Sequence, residues 1–301
     1  MTDSSYALAL AAAAALSLAA LVLSCARAGL GARRGALAAA LAVPLCLVGA
    51  RGYYLLMNNV LGGRILMGGL VSPYPYEHAM CGAVLGAMLA AVLAARLTGE
   101  CSSRLLDALA PAGLLMIALA RFAEVFSDFG WGQVIDDPAL CFFPVAAQDM
   151  FGQWHGAVFV LEGLLALLVL VAALRRRGDV PGGRFAFALI AWSVAQIFCE
   201  SLRAETLRWG FVRVQQVQCA VMMLCVLMLR TGRRRGHVPA GAWAAFVFGA
   251  AAVVLMEFAL DKSDWPHVLC YAVMALASAA MAAAVHAARP GKGEVCARCG
   301  G

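Results

Sequence analysis

Residues that could take part in catalysis or ligand binding occur inside or beside long apolar runs of this 301-residue sequence. A charged side chain is costly to place in the apolar part of a membrane, so each such residue needs a structural or functional reason. The segment 117–163 carries Arg121, Glu124 and His155 between two apolar runs. The candidates are cations that could hold an anion and groups that could bind or move a proton: Arg51, His78, Arg121, Glu124, Glu162, Gln196, Glu200 and Arg203.

The spacing of these residues predicts that several of them share helix faces. Arg121 and Glu124 are three residues apart, which places them on one side of a helix. A second set is separated by four, four and three residues, which predicts a single polar stripe. The members of this stripe are Trp192, Gln196, Glu200 and Arg203.

The composition predicts the kind of element that positions these residues. The chain is 63% hydrophobic and 13% charged, with a mean hydropathy of +0.84. These values exclude an ordinary soluble domain and favour an all-α, polytopic integral membrane protein. Apolar runs near the length of a spanning helix, about 20 residues, occur at 6–26, 36–58, 76–96, 105–123, 154–174, 185–203, 213–230, 240–260 and 267–288.

Basic residues predict the orientation of these nine spans. With the N-terminus outside, most of the 23 Lys and Arg residues fall in the inner loops, whereas the reverse orientation places Arg-rich clusters outside. The loop 124–153 contains no Lys or Arg, as expected on the outer face, and Arg208 and Arg213 fall in another outer loop. Most of the polar candidates then lie toward the outer leaflet, which predicts a shared polar cavity open to that side.

Each candidate also has a purely structural interpretation. Arg51 could extend to the interface or pair with a carboxylate, and His78 could be an interfacial histidine. Glu200 and Arg203 could form a structural ion pair. Glu162 could be a buried acid paired with Arg121 or Arg51. The functional interpretation depends on the joint occurrence of these residues.

The C-terminal part of the sequence differs from the rest. Its last two spans contain few polar residues, Glu257 and His286 near the ends, and we expect them to form an added lipid-facing hairpin. The pair Cys296 and Cys299 is a weak metal signal without a second pair, so no metal site is expected. The predicted organisation is a core at 1–236, a hairpin at 237–288 and a cytosolic tail at 289–301.

Five segments, taken in order, carry a resemblance to a known family over roughly residues 1–231. They are LVGARGYYLLMNN, which contains Arg51; GGLVSPYPYEHAMCGAVLGA, which contains His78; ARFAEVFSDFGWGQ, which contains Arg121 and Gly132; WHGAVFVLEG, which contains His155 and Glu162; and FCESLRAETLRWGFVRVQQ, which contains Glu200, Arg203 and Gln216. In this order they resemble the motifs of the prolipoprotein diacylglyceryl transferase family of bacterial inner membranes. The resemblance implies a seven-helix fold with its N-terminus outside, followed here by the extra hairpin.

The sequence departs from the family motifs at several positions. Glu124 and Ser127 replace asparagines, and Phe129 stands where the family has a glutamate. On the sixth span, Trp192 replaces a tyrosine and Gln196 replaces an arginine that is important for activity. These departures leave open a non-catalytic homologue that binds lipid or a partner. A small-solute transporter is a further alternative, although the chain has no evident internal repeat.

The resemblance implies transfer of a diacylglyceryl group from phosphatidylglycerol to the lipobox cysteine of a prolipoprotein, with no cofactor and no nucleic acid. The expected catalytic residues are Arg121 for the phosphate, His78 as the base that ionises the thiol, and Glu200 as an orienting group. The expected phospholipid-binding residues are Arg51, Arg121, Gly132 and Arg203. The expected supporting residues are Glu124, Glu162, Trp192, Gln196 and Gln216. Glu124 could neutralise Arg121 or act as a base.

Overall fold

The computed structural model describes residues 2–61, 77–127, 130–149, 151–176, 180–204, 206–233 and 240–288. Within these ranges the helices are α1 (Thr2–Arg27), α2 (Ala32–Leu61), α3 (Met80–Leu97), α4 (Ser102–Ala123), α5 (Val158–Arg175), α6 (Gly183–Leu202), α7 (Val214–Arg233), α8 (Ala240–Lys262) and α9 (His267–Ala287). The short strands are β1 (Ala146–Gln148), β2 (Trp154–Gly156), β3 (Arg208–Trp209) and β4 (Val212–Arg213).

All nine helices of the described chain are long and apolar enough to cross a membrane. The prediction of an all-α, multi-pass membrane protein is therefore confirmed. Two boundaries beside candidate site residues differ from the sequence-based expectation. The third span was expected to begin at residue 76, whereas α3 begins at Met80, so His78 precedes the helix. The fifth span was expected to begin at residue 154. Residues 154–156 form β2 instead and pair with β1, and α5 begins at Val158. His155 consequently lies on a strand outside the helix.

The chain divides into two compact units. The first holds the described residues of Met1–Phe129 and Gly163–Ala188. Its core is an apolar cluster of mostly small side chains from α1, α2, α3 and α4, which include Cys25, Ala38, Ala94 and Ala108. Small side chains let helix backbones approach closely, which replaces the hydrophobic driving force that lipid does not supply.

The second unit holds the described residues of Gly130–Glu162 and Leu189–Cys296. It contains the β1–β2 and β3–β4 hairpins, the last part of α6, and the helices α7, α8 and α9. Helices α8 and α9 pack against each other, and Gly249 allows the approach because a Cβ there would lie 2.6 Å from Met281 Cγ. The C-terminal hairpin therefore belongs to the same unit as the polar stripe of α6.

Close contact between α2 and α3 positions the arginine of α2. A Cβ at Gly49 would lie 2.5 Å from the carbonyl oxygen of Gly82, and a Cβ at Gly86 would lie 2.2 Å from that of Leu45. The approach also lets the N–H of Ala79 donate to the carbonyl oxygen of Ala50 at 3.1 Å. Because Arg51 follows Ala50 directly, the glycines fix where its side chain begins.

We expect Gly49→Ala to destabilise the protein by about 1–3 kcal/mol, since the added methyl group collides with the backbone of α3. Gly52→Ala on the same helix is the matched control, because a Cβ at Gly52 has no atom within 4 Å. It should be neutral or stabilise slightly, as alanine is the better helix former. Thermal unfolding of the purified protein in detergent measures both changes. Equal unfolding midpoints for the two variants would contradict the assigned role of Gly49.

Candidate active site

Arg51 on α2 is held by the residues that precede α3. Its side chain is buried, with 5% of the residue exposed. Arg51 Nη1 lies 2.9 Å from Glu77 Oε2 and also donates to the carbonyl oxygen of Glu77 at 3.3 Å. The guanidinium carbon lies 5.6 Å from the centre of the Tyr54 ring. Arg51 thus has a carboxylate partner in this structure, and its charge is compensated.

Arg121 on the last turn of α4 forms an ion pair with Glu124. Helix α4 ends at Ala123, and Glu124 begins a 3-10 turn that ends at Phe126. The turn keeps the two residues adjacent, so Arg121 Nη1 donates to Glu124 Oε1 as the spacing of three predicts. Arg121 Nη2 donates to Met80 Sδ at 3.4 Å. Both residues of the ion pair are buried.

His78 lies in a short segment whose residues contact both Arg51 and Arg121. Glu77, immediately before it, pairs with Arg51, and Met80, two residues after it, contacts Arg121. The residue is half-buried. We call Arg51, Glu77, His78, Arg121 and Glu124 the first polar cluster.

The first polar cluster balances its guanidinium charges with carboxylates. Each of its two arginines lies within ion-pair distance of one glutamate. An anionic ligand that binds Arg121 must therefore share or displace Glu124. A guanidinium such as that of Arg121 can donate two hydrogen bonds to a phosphate group. His78 lies two residues before Met80, which contacts Arg121.

The polar stripe predicted on the sixth span is buried, and its last member, Arg203, lies directly after the end of α6 at Leu202. Trp192, Gln196, Glu200 and Arg203 all lie inside the protein, and Glu200 has no exposed surface. Gln196 Nε2 donates to Glu200 Oε2 at 3.3 Å. Arg203 Nη1 lies 3.7 Å from Oε2 of Glu162 on α5. The two residues therefore form an ion pair within the second unit. We call Glu162, Gln196, Glu200 and Arg203 the second polar cluster.

Three further residues extend the second polar cluster, and sequence reasoning missed two of them. Arg213, expected in an outer loop, is buried and pairs with Glu257 of α8, with Nε 3.1 Å from Oε2. Gln216 Nε2 donates to Glu257 Oε1 at 2.6 Å. Glu257 was expected on a lipid-facing hairpin. An acid inside an apolar run is costly, and this feature of the sequence could have indicated a buried partner for Glu257.

Gly132 and His155 lie in the segment between α4 and α5. The N–H of Gly132 donates to the carbonyl oxygen of Gly156 at 2.7 Å, and a Cβ at Gly132 would lie 2.9 Å from Val158 Cγ2. Gly132 also forms an isolated β-bridge with Arg203. The absence of a side chain at 132 therefore lets this segment pack against the end of α6.

His155 pairs with Asp149 across the β1–β2 hairpin. His155 Nε2 lies 3.4 Å from Asp149 Oδ2, and its ring lies 5.1 Å from that of Trp131. Local desolvation acts to raise the pKa of the Asp149 carboxyl. Hydrogen bonds from the N–H groups of Gln153 and Phe151 and from His155 together hold that pKa below its ordinary value.

Two parts of the sequence-based site lie outside the described residues. They are Phe129, which the motif resemblance places at the position of a family glutamate, and the tail with Cys296 and Cys299. Among the residues that are described, no three His, Cys, Asp or Glu side chains come together as a metal site would require.

Comparison with known proteins identifies the same family that the order of the motifs resembles. The sequence model of the family described as "Prolipoprotein diacylglyceryl transferase" matches residues 3–231. Similar proteins include the phosphatidylglycerol–prolipoprotein diacylglyceryl transferase of Streptococcus suis strain 05ZYH33, 26% identical over 220 residues that cover 66% of this chain and 76% of that protein. The Streptococcus uberis protein of the same name is 25% identical over 215 residues, which cover 65% and 77% of the two chains.

The matched region contains α1 to α6 and nearly all of α7, and thus both polar clusters apart from Glu257. Helices α8 and α9 lie beyond it. The resemblance seen in the motif order is therefore confirmed, and the chain belongs to the prolipoprotein diacylglyceryl transferase family.

Proposed function

We propose that the protein transfers a diacylglyceryl group from phosphatidylglycerol to the lipobox cysteine of a prolipoprotein, as the names of its relatives describe for those proteins. The cysteine thiolate attacks the terminal glyceryl carbon and forms a C–S bond. The C–O bond from that carbon to the phosphate breaks, and glycerol-1-phosphate leaves with the electron pair. The thiol proton passes to a base, so the reaction needs no cofactor.

The observation that carries this proposal is the buried Arg121 beside the segment that bears His78. A guanidinium can donate two parallel hydrogen bonds to phosphate oxygens and stabilise the charge that develops on the leaving group. Arg121 is 5% exposed, and in such a dry environment its charge acts strongly. Both residues lie in segments that resemble family motifs, and Arg121 Nη2 contacts Met80, two residues beyond His78.

We assign His78 the role of general base toward the thiol. Imidazole is the side chain that exchanges protons most readily near neutral pH, and thiolate is the reactive form of cysteine. Arg51 is assigned to the lipid phosphate as a second cation. The roles of Glu162, Glu200, Arg203 and Gly132 in binding or orienting the substrate stay predictions from the family motifs.

The partners follow from this proposal. The lipid donor is phosphatidylglycerol, the acceptor is the signal-peptide region of a prolipoprotein, and the protein resides in the bacterial plasma (inner) membrane. A site at a membrane arginine suits an anionic lipid head group. Nine apolar helices in the described chain support a multi-pass membrane location.

Depletion and rescue test the proposed function. A bacterial strain whose own transferase is depleted receives this protein, and acylation of a reporter prolipoprotein is followed by its mobility shift. Purified protein is assayed in parallel with phosphatidylglycerol vesicles and a lipobox peptide. We expect rescue, a thioether product and glycerol-1-phosphate. Normal membrane expression without rescue, together with no product in vitro, would reject the transferase function.

A non-catalytic homologue is the second candidate function, and two observations favour it. The motif resemblance places Gln196, a neutral amide, where the family has an arginine, and Glu124 forms an ion pair with Arg121. Such a protein would bind phosphatidylglycerol without turnover. Saturable lipid binding combined with the failed rescue described above would support this candidate.

Glu124→Asn restores the family residue and separates the two roles left open for Glu124. We expect the KM for phosphatidylglycerol to fall about tenfold, because Arg121 loses a charged competitor for the phosphate. Glu100→Gln is the matched control, since Glu100 pairs with Arg34 and Arg104. Its KM should not change. If Glu124→Asn instead abolishes turnover at unchanged KM, Glu124 acts as the base.

A further inference from the structure

Glu257 is a buried acid on a helix that the family match does not cover. The match ends at residue 231, whereas Glu257 lies on α8 and is 4% exposed. Removing a carboxylate from water is costly unless hydrogen bonds and an opposite charge compensate it. An added lipid-facing hairpin would have no need of such a residue, so its contacts indicate what the hairpin does.

Three donors from three different elements surround the Glu257 carboxylate. Arg213 Nε, at the end of β4, donates to Oε2 at 3.1 Å. Gln216 Nε2, on α7, donates to Oε1 at 2.6 Å, and Ser201 Oγ, on α6, donates to the same oxygen. The carboxylate is therefore fully engaged by groups of the family core, and it compensates the charge of Arg213.

The remaining N–H groups of Arg213 hold the end of α6. Arg213 Nη1 donates to the carbonyl oxygens of Glu200 at 2.6 Å and Arg203 at 2.9 Å, and Nη2 donates to that of Ser201 at 3.2 Å. The last carbonyl groups of a helix have no intrahelical partner, and a cation near them is favourable. Arg213 thus caps the C-terminus of α6.

The capped residues also carry side chains of the second polar cluster. Glu200 accepts from Gln196, and Arg203 lies 3.7 Å from Glu162. We propose that Glu257 is a positioning residue, through which the added hairpin holds Arg213 against the end of α6 and so fixes the backbone that carries Glu200 and Arg203. The predicted effect on catalysis rests on the proposed function, whereas the positioning of Arg213 does not.

Glu257→Gln tests the inference, because it keeps the shape of the side chain and removes its charge. Hydrogen exchange of the backbone amides of residues 201–204 is measured on the full-length protein in detergent. We expect exchange about tenfold faster than in the wild type, as a cap loses a charge-assisted contact. The matched control is Asp261→Asn, one turn further on α8, where the partly exposed carboxylate pairs with the exposed Lys262.

Glu257→Asp retains the charge and should restore most of the protection. It also keeps the inference testable if Glu257→Gln fails to fold. In the transferase assay, kcat/KM for phosphatidylglycerol should fall about tenfold in Glu257→Gln, because the backbone that carries Glu200 and Arg203 is no longer held in place. If Glu257 only stabilised the fold, Glu257→Gln would lower the amount of active protein, and Glu257→Asp would not restore the protection of residues 201–204.

The outcomes separate the two hypotheses. Unchanged exchange at residues 201–204 in Glu257→Gln, or equal exchange in the Gln and Asp variants, would overturn the positioning role whatever the activity. A wild type without transfer activity would reject the proposed function instead, and the exchange data would still decide the structural inference.

Discussion

Arg121→Ala is expected to lower diacylglyceryl transfer by about 10²–10³-fold, the loss seen when one charge-stabilising donor is removed from an active site. The leaving phosphate gains charge as the C–O bond breaks, and Arg121 is the buried cation assigned to it. Transfer from phosphatidylglycerol vesicles to a lipobox peptide gives the rate. Arg104→Ala is the control on the same helix, because Arg104 pairs with Glu100 and is partly exposed. It should retain activity.

The substitution also leaves the buried Glu124 carboxylate without its partner, which alone could unfold the protein. The double variant Arg121→Ala/Glu124→Gln separates the two effects, because it removes both charges of the ion pair. We expect it to restore the level of folded protein, measured by size exclusion in detergent, and to remain inactive. Recovery of wild-type transfer in the double variant would show that Arg121 serves only to compensate Glu124.

His78→Ala is expected to lower kcat by about 10²–10⁴-fold, as removal of a general base does. A thiol that must ionise without a base should depend more steeply on pH, so activity of the variant should recover in part above pH 8. His267→Ala is the control, since His267 is exposed at the start of α9. Transfer and membrane insertion are measured side by side.

A second substrate sharpens this test of His78. A lipobox peptide with selenocysteine in place of cysteine supplies a nucleophile that is already ionised at neutral pH, so it does not need the base. We expect His78→Ala to be far less impaired with this peptide. An equal loss with both peptides would assign His78 to substrate binding or structure.

The elements themselves were predictable from the sequence. A span of about 20 apolar residues predicts a crossing helix because unpaired backbone groups are too costly in lipid. The nine helices of the described chain agree with the nine predicted runs. The exceptions are His78, which precedes α3, and His155, which lies on the strand Trp154–Gly156. At both places, hydropathy cannot separate the start of a helix from the short non-helical segment that precedes it.

The candidate site was predictable where partners are close in the chain. Arg121 and Glu124 pair as a spacing of three requires, and the stripe on α6 is buried on one face. Partners distant in sequence were not predictable. Arg51 with Glu77 and Arg203 with Glu162 had several alternative carboxylates or cations, and the sequence contains no information on which would lie near.

By itself, the sequence determined the family, the membrane class and the local pairing of Arg121 with Glu124, because motif order, apolar length and helical spacing are properties of the chain. Only the tertiary structure decided that Glu257 joins Arg213, 44 residues away, and that this pair caps the end of α6. The physical reason is that a buried charge is stabilised by whatever packs around it. That environment exists only after α6, α7 and α8 have come together.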